Sequence, residues 1–228
     1  MNKGILVFSI ALSLALVACK KHETTPASEV ATTDIPTPVT AVEPAATNAE
    51  PGKDDLARSE QQAKLDYATM EDGYINDAKG QWASAAKASS AFGSANEADA
   101  DPQSGNTPWQ ATAAPNGKEW TNNNQDIGFD SIELDYAKPV TATEVRVVTN
   151  DNEAAESINK IELIDTDGTA HTVWSGLSET KQDTRGARTW IVHKFDATPY
   201  QVKSVKLTFA NNVASGYKKV DAVQLIGE

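Results

Sequence analysis

The sequence predicts an all-β domain, an antiparallel β-sandwich preceded by a disordered tether. Three observations carry that reading. From about Trp82 onward apolar residues recur at every second position in short runs, turn residues separate the runs, and no long amphipathic helical stripe interrupts them. A doubly wound α/β fold needs a helix after each strand and is excluded on the same ground.

The 228 residues open with Lys3 and an apolar run over 4–18, the signature of a signal peptide at 1–18. The run is too short to span a bilayer, which takes about 20 apolar residues. It stops at Leu16-Val17-Ala18-Cys19, with Lys20, Lys21 and His22 directly behind. This resembles the lipobox of bacterial lipoproteins, and the resemblance implies that Cys19 is lipidated and becomes the mature N-terminus. Several acyl chains, each buried CH2 contributing about 0.8 kcal/mol, make such an anchor effectively permanent. In that family Lys rather than Asp after the cysteine implies the outer membrane, without choosing a leaflet.

Residues 19–64 read as the tether. The stretch is rich in Thr, Pro, Ala and Glu, has Pro at 26, 36, 38, 44 and 51, and shows no hydrophobic period. It cannot bury enough apolar surface to offset its ordering entropy. As a coil of about 45 residues it reaches on the order of 40 Å, enough to lift a domain clear of lipid headgroups. Good helix formers between Leu56 and Met70 predict a short helix before the domain, and its few apolar positions put it on the surface.

The domain itself takes 65–228. Ile132-Glu-Leu134-Asp-Tyr136 places apolar side chains on one face and carboxylates on the other, and Val205-Lys-Leu207-Thr-Phe209 repeats the pattern. Residues 158–164 and 169–174 flank Asp165-Thr-Asp167-Gly168, a hairpin turn. Further strands are expected at 145–149, 189–195 and 220–226.

Several ordered blocks then resemble the bacterial relatives of the discoidin and coagulation factor 5/8 type C domains. They are Trp82-Ala-Ser-Ala-Ala-Lys-Ala-Ser-Ser90, Gln110-Ala-Thr-Ala-Ala-Pro-Asn116, Pro139-Val-Thr-Ala-Thr-Glu-Val-Arg146, Val173-Trp174-Ser-Gly176 after the Asp165 turn, Val202 to Phe209, and Val220-Asp-Ala-Val-Gln-Leu-Ile-Gly227. The resemblance implies a galactose-binding-like jelly roll that recognises a ligand without catalysis, using the loops at one end of the sandwich. Sugar-binding members often hold a structural calcium ion in an Asp-Gly-Asp turn before Thr-x-Trp. Here Asp99-Ala-Asp101 and Thr107-Pro-Trp109 stand in that place without the Gly, so Asp99 and Asp101 are weak calcium candidates for a cation that wants six to eight oxygens.

Charge and composition narrow the partners. With 20 Lys+Arg against 32 Asp+Glu the formal net charge is -12, which argues against nucleic acid. One Cys forbids an internal disulfide, and three His with that Cys cannot build a zinc finger. There is no Gly-x-Ser-x-Gly, His-Glu-x-x-His or glycine-rich phosphate loop, so no catalytic residue is assigned. His171 and His193 sit in strand-like runs as structural histidines. Trp82, Trp174 and Trp190 do too, as core rings.

The ligand-binding candidates are therefore loop residues: Trp109 and Tyr217 as exposed rings, Asn122 and Asn123 after Trp120, Asn150, and Arg185 with Arg188 as a clamp for a carboxylate. The expected role is a membrane-anchored lipoprotein of the cell envelope binding a glycan. The alternative is a protein-interaction module of an envelope complex on the same fold.

Overall fold

The computed structural model describes residues 52–93 and 105–228. The signal peptide, Cys19, the tether up to residue 51, and both calcium candidates, Asp99 and Asp101, lie outside the described residues. Helix α1 (Lys53–Ile75) comes first, followed by β1 (Gly80–Trp82), β2 (Ala85–Ala88), a 3-10 turn (Pro108–Ala111) and β3 (Trp120–Thr121). Then come β4 (Phe129–Val140), β5 (Ala142–Thr149), α2 (Asn152–Ser157), β6 (Ile158–Asp165), β7 (Ala170–Ser175), β8 (Thr189–Lys194), β9 (Val202–Ala210), β10 (Lys219–Val220) and β11 (Ala222–Gly227).

The strands form a four-stranded sheet in the order β1-β11-β5-β8 and a five-stranded sheet in the order β2-β4-β9-β6-β7, while β10 and β3 make a two-stranded ribbon. Every strand pair is antiparallel. The alternation fixes which side faces inward. Ile132, Leu134 and Tyr136 of β4, Val205, Leu207 and Phe209 of β9, Ile161 and Leu163 of β6, and Val145, Val147, Val223 and Leu225 from the other sheet share one core. The Tyr136 hydroxyl donates across it to the Val223 carbonyl at 3.4 Å. Burial pushes that phenol well above the ordinary tyrosine value.

The outer face of the five-stranded sheet is wet. Lys87 lies opposite Glu133, Glu133 opposite Lys206, and Lys206 opposite Glu162, an alternating-charge ladder. The predicted hairpin forms between β6 and β7. Gly168 takes a φ of 84°, and the Asp165 carboxylate accepts from the Asp167 and Thr169 amides at 2.9 Å each. His171 donates to the same carboxylate at 2.8 Å and stacks on Tyr200.

The other outer face is dry, and here the structure corrects the surface helix of the sequence reading. α1 is longer than the Leu56 to Met70 segment and takes in residues 53–64. Tyr67, Met70 and Tyr74, three and four residues apart, lie on one side of it and cover Val148, Trp190, Ala222 and Trp82. Tyr74 packs on Trp190 with ring centroids 5.1 Å apart. Arg146 stacks on Tyr74 and is held by Glu144 at 2.5 Å, Asp77 at 2.9 Å and Gln224 at 3.1 Å. The fold is thus helix, sheet, sheet. Residues 53–62 of α1 stay solvent-exposed, and Asp54 and Asp55 suit the positive end of its dipole. Among the described residues no helix is long and apolar enough to cross a membrane.

Candidate functional site

β4, β6, β8 and β11 start, and β2, β5, β7 and β9 finish, at the same end of the sandwich, so the connecting loops gather there. Two polar clusters organise this loop end.

The first is built around Asp130, the second residue of β4. Its carboxylate is buried and accepts from Ser90 Oγ at 2.7 Å, Asn122 Nδ2 at 2.8 Å, Ser89 Oγ and Asn211 Nδ2 at 2.9 Å, and Asn124 Nδ2 at 3.1 Å. Burial pushes this carboxyl up, but the bonds from Ser90, Asn211, Asn122 and Asn124 outweigh it and hold it below the usual carboxylate range. Asn122 is fully buried, and its Oδ1 accepts from the Lys218 amide at 2.8 Å. Asn211 Nδ2 also reaches the Ile127 carbonyl at 2.9 Å. Short Ser and Asn side chains at strand ends do this work because they hydrogen-bond backbone and carboxylate without filling the loop.

This network ties three loops, residues 89–93, 122–128 and 211–218, into one surface. On it Phe92 meets Tyr217 edge to face, with centroids 4.9 Å apart and planes at 85°. Phe92 is 43% exposed, and nearby Ile127, Phe129 and Val213 are 76%, 66% and 42% exposed. Asn123 and Asn212 also face solvent here. An apolar ring pair beside amides can stack the CH face of a sugar or seat an apolar side chain.

The second cluster centres on Asp221, which has no exposed surface. It accepts from the Asn116 and Gly117 amides at 2.9 and 3.0 Å, and from Asn150 Nδ2 and Arg188 Nε at 3.4 Å. Arg188 also donates to Glu71 of α1 at 3.2 Å, and Glu71 accepts from Trp190 Nε1 at 3.3 Å, with the Tyr67 hydroxyl oxygen 3.2 Å away. Glu119 accepts from the Asn150 amide at 3.2 Å, and burial raises its carboxyl. Arg185 forks onto Asp183 at 3.0 and 2.8 Å.

The seven sequence candidates thus divide. Asn123 and Tyr217 lie on the ring-bearing surface, and Asn122 lies beneath it as a framework group. Asn150 and Arg188 share Asp221 under the edge of α1. Arg185 and Arg188, read from the sequence as a carboxylate clamp, already hold carboxylates of this chain. Trp109 stands apart on the 3-10 turn, 42% exposed. Trp120 is fully buried, its Nε1 donating to the Ser90 carbonyl at 2.9 Å. Sequence reasoning missed Phe92, Asp130 and Lys218. Phe92 had a signal, a ring in a Ser-Ser-Ala-Phe run just past a strand.

Away from this end, a cleft of about 390 Å³ is lined by Lys79, Thr141, Thr143, Ala197, Gly227 and Glu228. His193 packs on Trp174 at 4.7 Å, and burial lowers its imidazole below the ordinary value. Among the described residues no group of three or more His, Cys, Asp or Glu is placed to hold a metal ion.

No family model matches the chain, and no curated protein matches it. Among solved structures it is similar to the CBM32-5 module of CpGH89 from Clostridium perfringens in complex with GalNAc-beta-1,3-galactose, at 12% identity and a TM-score of 0.46, over 63% of this chain and 94% of that one. It is also similar to chitosan-binding module 1 of a chitosanase/glucanase from Paenibacillus sp. IK-5, at 19% identity and 0.43, over 63% and 94%. A third is the family 32 CBM of C. perfringens NanJ in complex with galactose, at 16% identity and 0.42, over 66% and 96%.

Proposed function

We propose that this chain is a lipoprotein, anchored through Cys19 to the outer membrane, that displays a non-catalytic recognition domain and binds a glycan with its loop end. The observation that carries the reading is the pair of exposed Phe92 and Tyr217, the latter half-buried rather than a fully exposed ring, held edge to face on a hydrogen-bonded framework with Asn123 and Asn212 beside it. Sugars combine apolar CH faces with hydroxyls, and rigid rings flanked by amides answer both while losing little side-chain entropy on binding. The arginines do not supply a carboxylate clamp, so the surface suits a neutral or weakly charged sugar better than a polyanion.

A second reading, a protein-docking module in an envelope complex, draws on Ile127, Phe129 and Val213, an apolar group that a sugar does not need. One experiment separates the two. The lipid-free chain carrying Cys19→Ser is tested on a glycan array and on purified peptidoglycan, with and without calcium, beside Phe92→Ala, Tyr217→Ala and Ile127→Ser/Phe129→Ser. Glycan binding lost in the ring variants and kept in the double serine variant supports the first reading. No glycan binding, together with an envelope protein crosslinked to the parent chain and lost in the double serine variant, supports the second.

A further inference from the structure

Lys218 is the one lysine among the described residues that is wholly buried. A buried ammonium is costly unless its three protons find acceptors. Here Nζ donates to the main-chain carbonyls of Gln125 at 2.8 Å and Ala214 at 2.7 Å, and to that of Gly216. Burial pushes the ammonium down from the ordinary lysine value, while the carboxylates that face it at longer range, Glu153, Asp151, Asp126 and Asp130, push it back up.

The backbone of the same residue is engaged as well. Its amide donates to Asn122 Oδ1 at 2.8 Å, and its carbonyl accepts from the Asn122 amide at 3.0 Å. One residue therefore gathers the chain at 122, 125, 214 and 216. Tyr217 lies between Gly216, whose carbonyl the ammonium holds, and Lys218 itself, and its ring rests edge to face on Phe92. Three converging carbonyls around a compact positive charge are what a loop offers to a bound cation.

We infer that Lys218 is a built-in cation: its tethered ammonium closes the loop end as a bound metal ion would, and makes it the positioning residue of the Phe92 and Tyr217 surface. The inference rests on the glycan reading in treating that surface as the binding face, whereas the carbonyl cage is tested without any sugar.

The test separates charge from shape. The full chain carrying Cys19→Ser and Lys218→Cys is alkylated while unfolded and then refolded. One portion receives 2-bromoethylamine, which restores a side chain of lysine's length ending in an ammonium; the other receives 1-bromopropane, which supplies the length without the charge. Hydrogen exchange is followed over residues 122–128 and 211–217, and cosedimentation is measured with purified peptidoglycan sacculi. The expected result is parental protection in the aminoethyl protein, and exchange faster by about tenfold or more in both loops of the propyl protein with β4 and β9 unchanged. Equal protection in the two proteins overturns the inference, as does an aminoethyl protein no better protected than the propyl one.

Should neither refold, the unsubstituted chain with 15N-labelled lysine decides. A caged ammonium exchanges its protons slowly and gives a resolved side-chain signal that Lys218→Arg removes; its absence overturns the cage. Failure of the parent chain to sediment with sacculi, with the exchange difference intact, counts against the glycan reading for that probe and leaves the cage established.

Discussion

Alanine at position 186 probes most sharply the helix that covers the four-stranded sheet. A Cβ on Gly186 would fall 2.0 Å from Tyr67 Cε1 and 2.2 Å from Cζ, far inside contact distance. The ring cannot swing aside freely, because it is 4% exposed and its hydroxyl donates to the Arg188 carbonyl at 2.9 Å. Either the loop before β8 shifts or Tyr67 leaves its seat. Overpacking of this kind costs about 1–3 kcal/mol, and losing the tyrosine hydrogen bond adds about 1 kcal/mol. A loss of about 2–4 kcal/mol in a folded unit of this size lowers Tm by roughly 5–15 °C.

The assay is urea and thermal unfolding of the parent, Gly186→Ala, Tyr67→Ala and the double variant. With Tyr67 already truncated, the three nearest atoms the new methyl would strike are gone, and the entropy alanine removes from the unfolded chain makes Gly186→Ala neutral or stabilising by about 0.4–1 kcal/mol. The expected coupling between the two sites is therefore at least about 2 kcal/mol. Equal effects of Gly186→Ala in both backgrounds would refute the docking of α1 through Tyr67.

Three further outcomes are expected. Asp130→Asn removes the charge and one of the two oxygens that accept from five side chains, setting an amide donor against other donors, and should cost about 2–4 kcal/mol in urea unfolding. Because the folded-state value of Asp130 is depressed, its contribution is complete above about pH 4 and lost as pH falls through the lower folded value, so the acid limb of stability against pH should flatten in Asp130→Asn. Arg146→Met takes from Glu144 and Asp77 the guanidinium they share, leaving Glu144 only the exposed Lys194 at 3.9 Å, and should cost about 2–4 kcal/mol by urea unfolding, partly recovered on adding Glu144→Leu. Cys19→Ser should move the protein from the membrane to the soluble fraction of fractionated cells, and persistent membrane attachment would contradict the anchor.

The strands were legible wherever one face is wet. Ile132 to Tyr136 and Val205 to Phe209 alternate cleanly because the outer side of their sheet carries Glu133, Lys206 and Thr208. The covering helix was harder to read, since its docking stripe is only Tyr67, Met70 and Tyr74 among polar neighbours. A hint lay on the other partner: Val145 to Val148 and Ala222 to Ile226 break alternation because both faces of β5 and β11 are covered. For the site, Tyr217 and Asn123 could be read as loop residues with free chemistry. The partners of Arg188 could not, because Asp221 and Glu71 reach it only through the tertiary fold, whereas Arg185 takes Asp183, two residues away. Lys218 stands beside Lys219 with nothing in the sequence to mark it, and the carbonyls of Gln125, Ala214 and Gly216, the first of them 93 residues away, make it a buried framework charge.

The loop end carrying Phe92 and Tyr217 is the proposed recognition face. Chemical-shift mapping of the 15N-labelled Cys19→Ser chain, titrated with soluble peptidoglycan fragments and with the best binders from the array, tests it most directly. Saturable shifts are expected at Phe92, Asn123, Asn212 and Tyr217, with the Lys79, Thr141 and Thr143 cleft unmoved. Shifts confined to that cleft or to the Lys87 and Lys206 face, or none with any sugar, would contradict it.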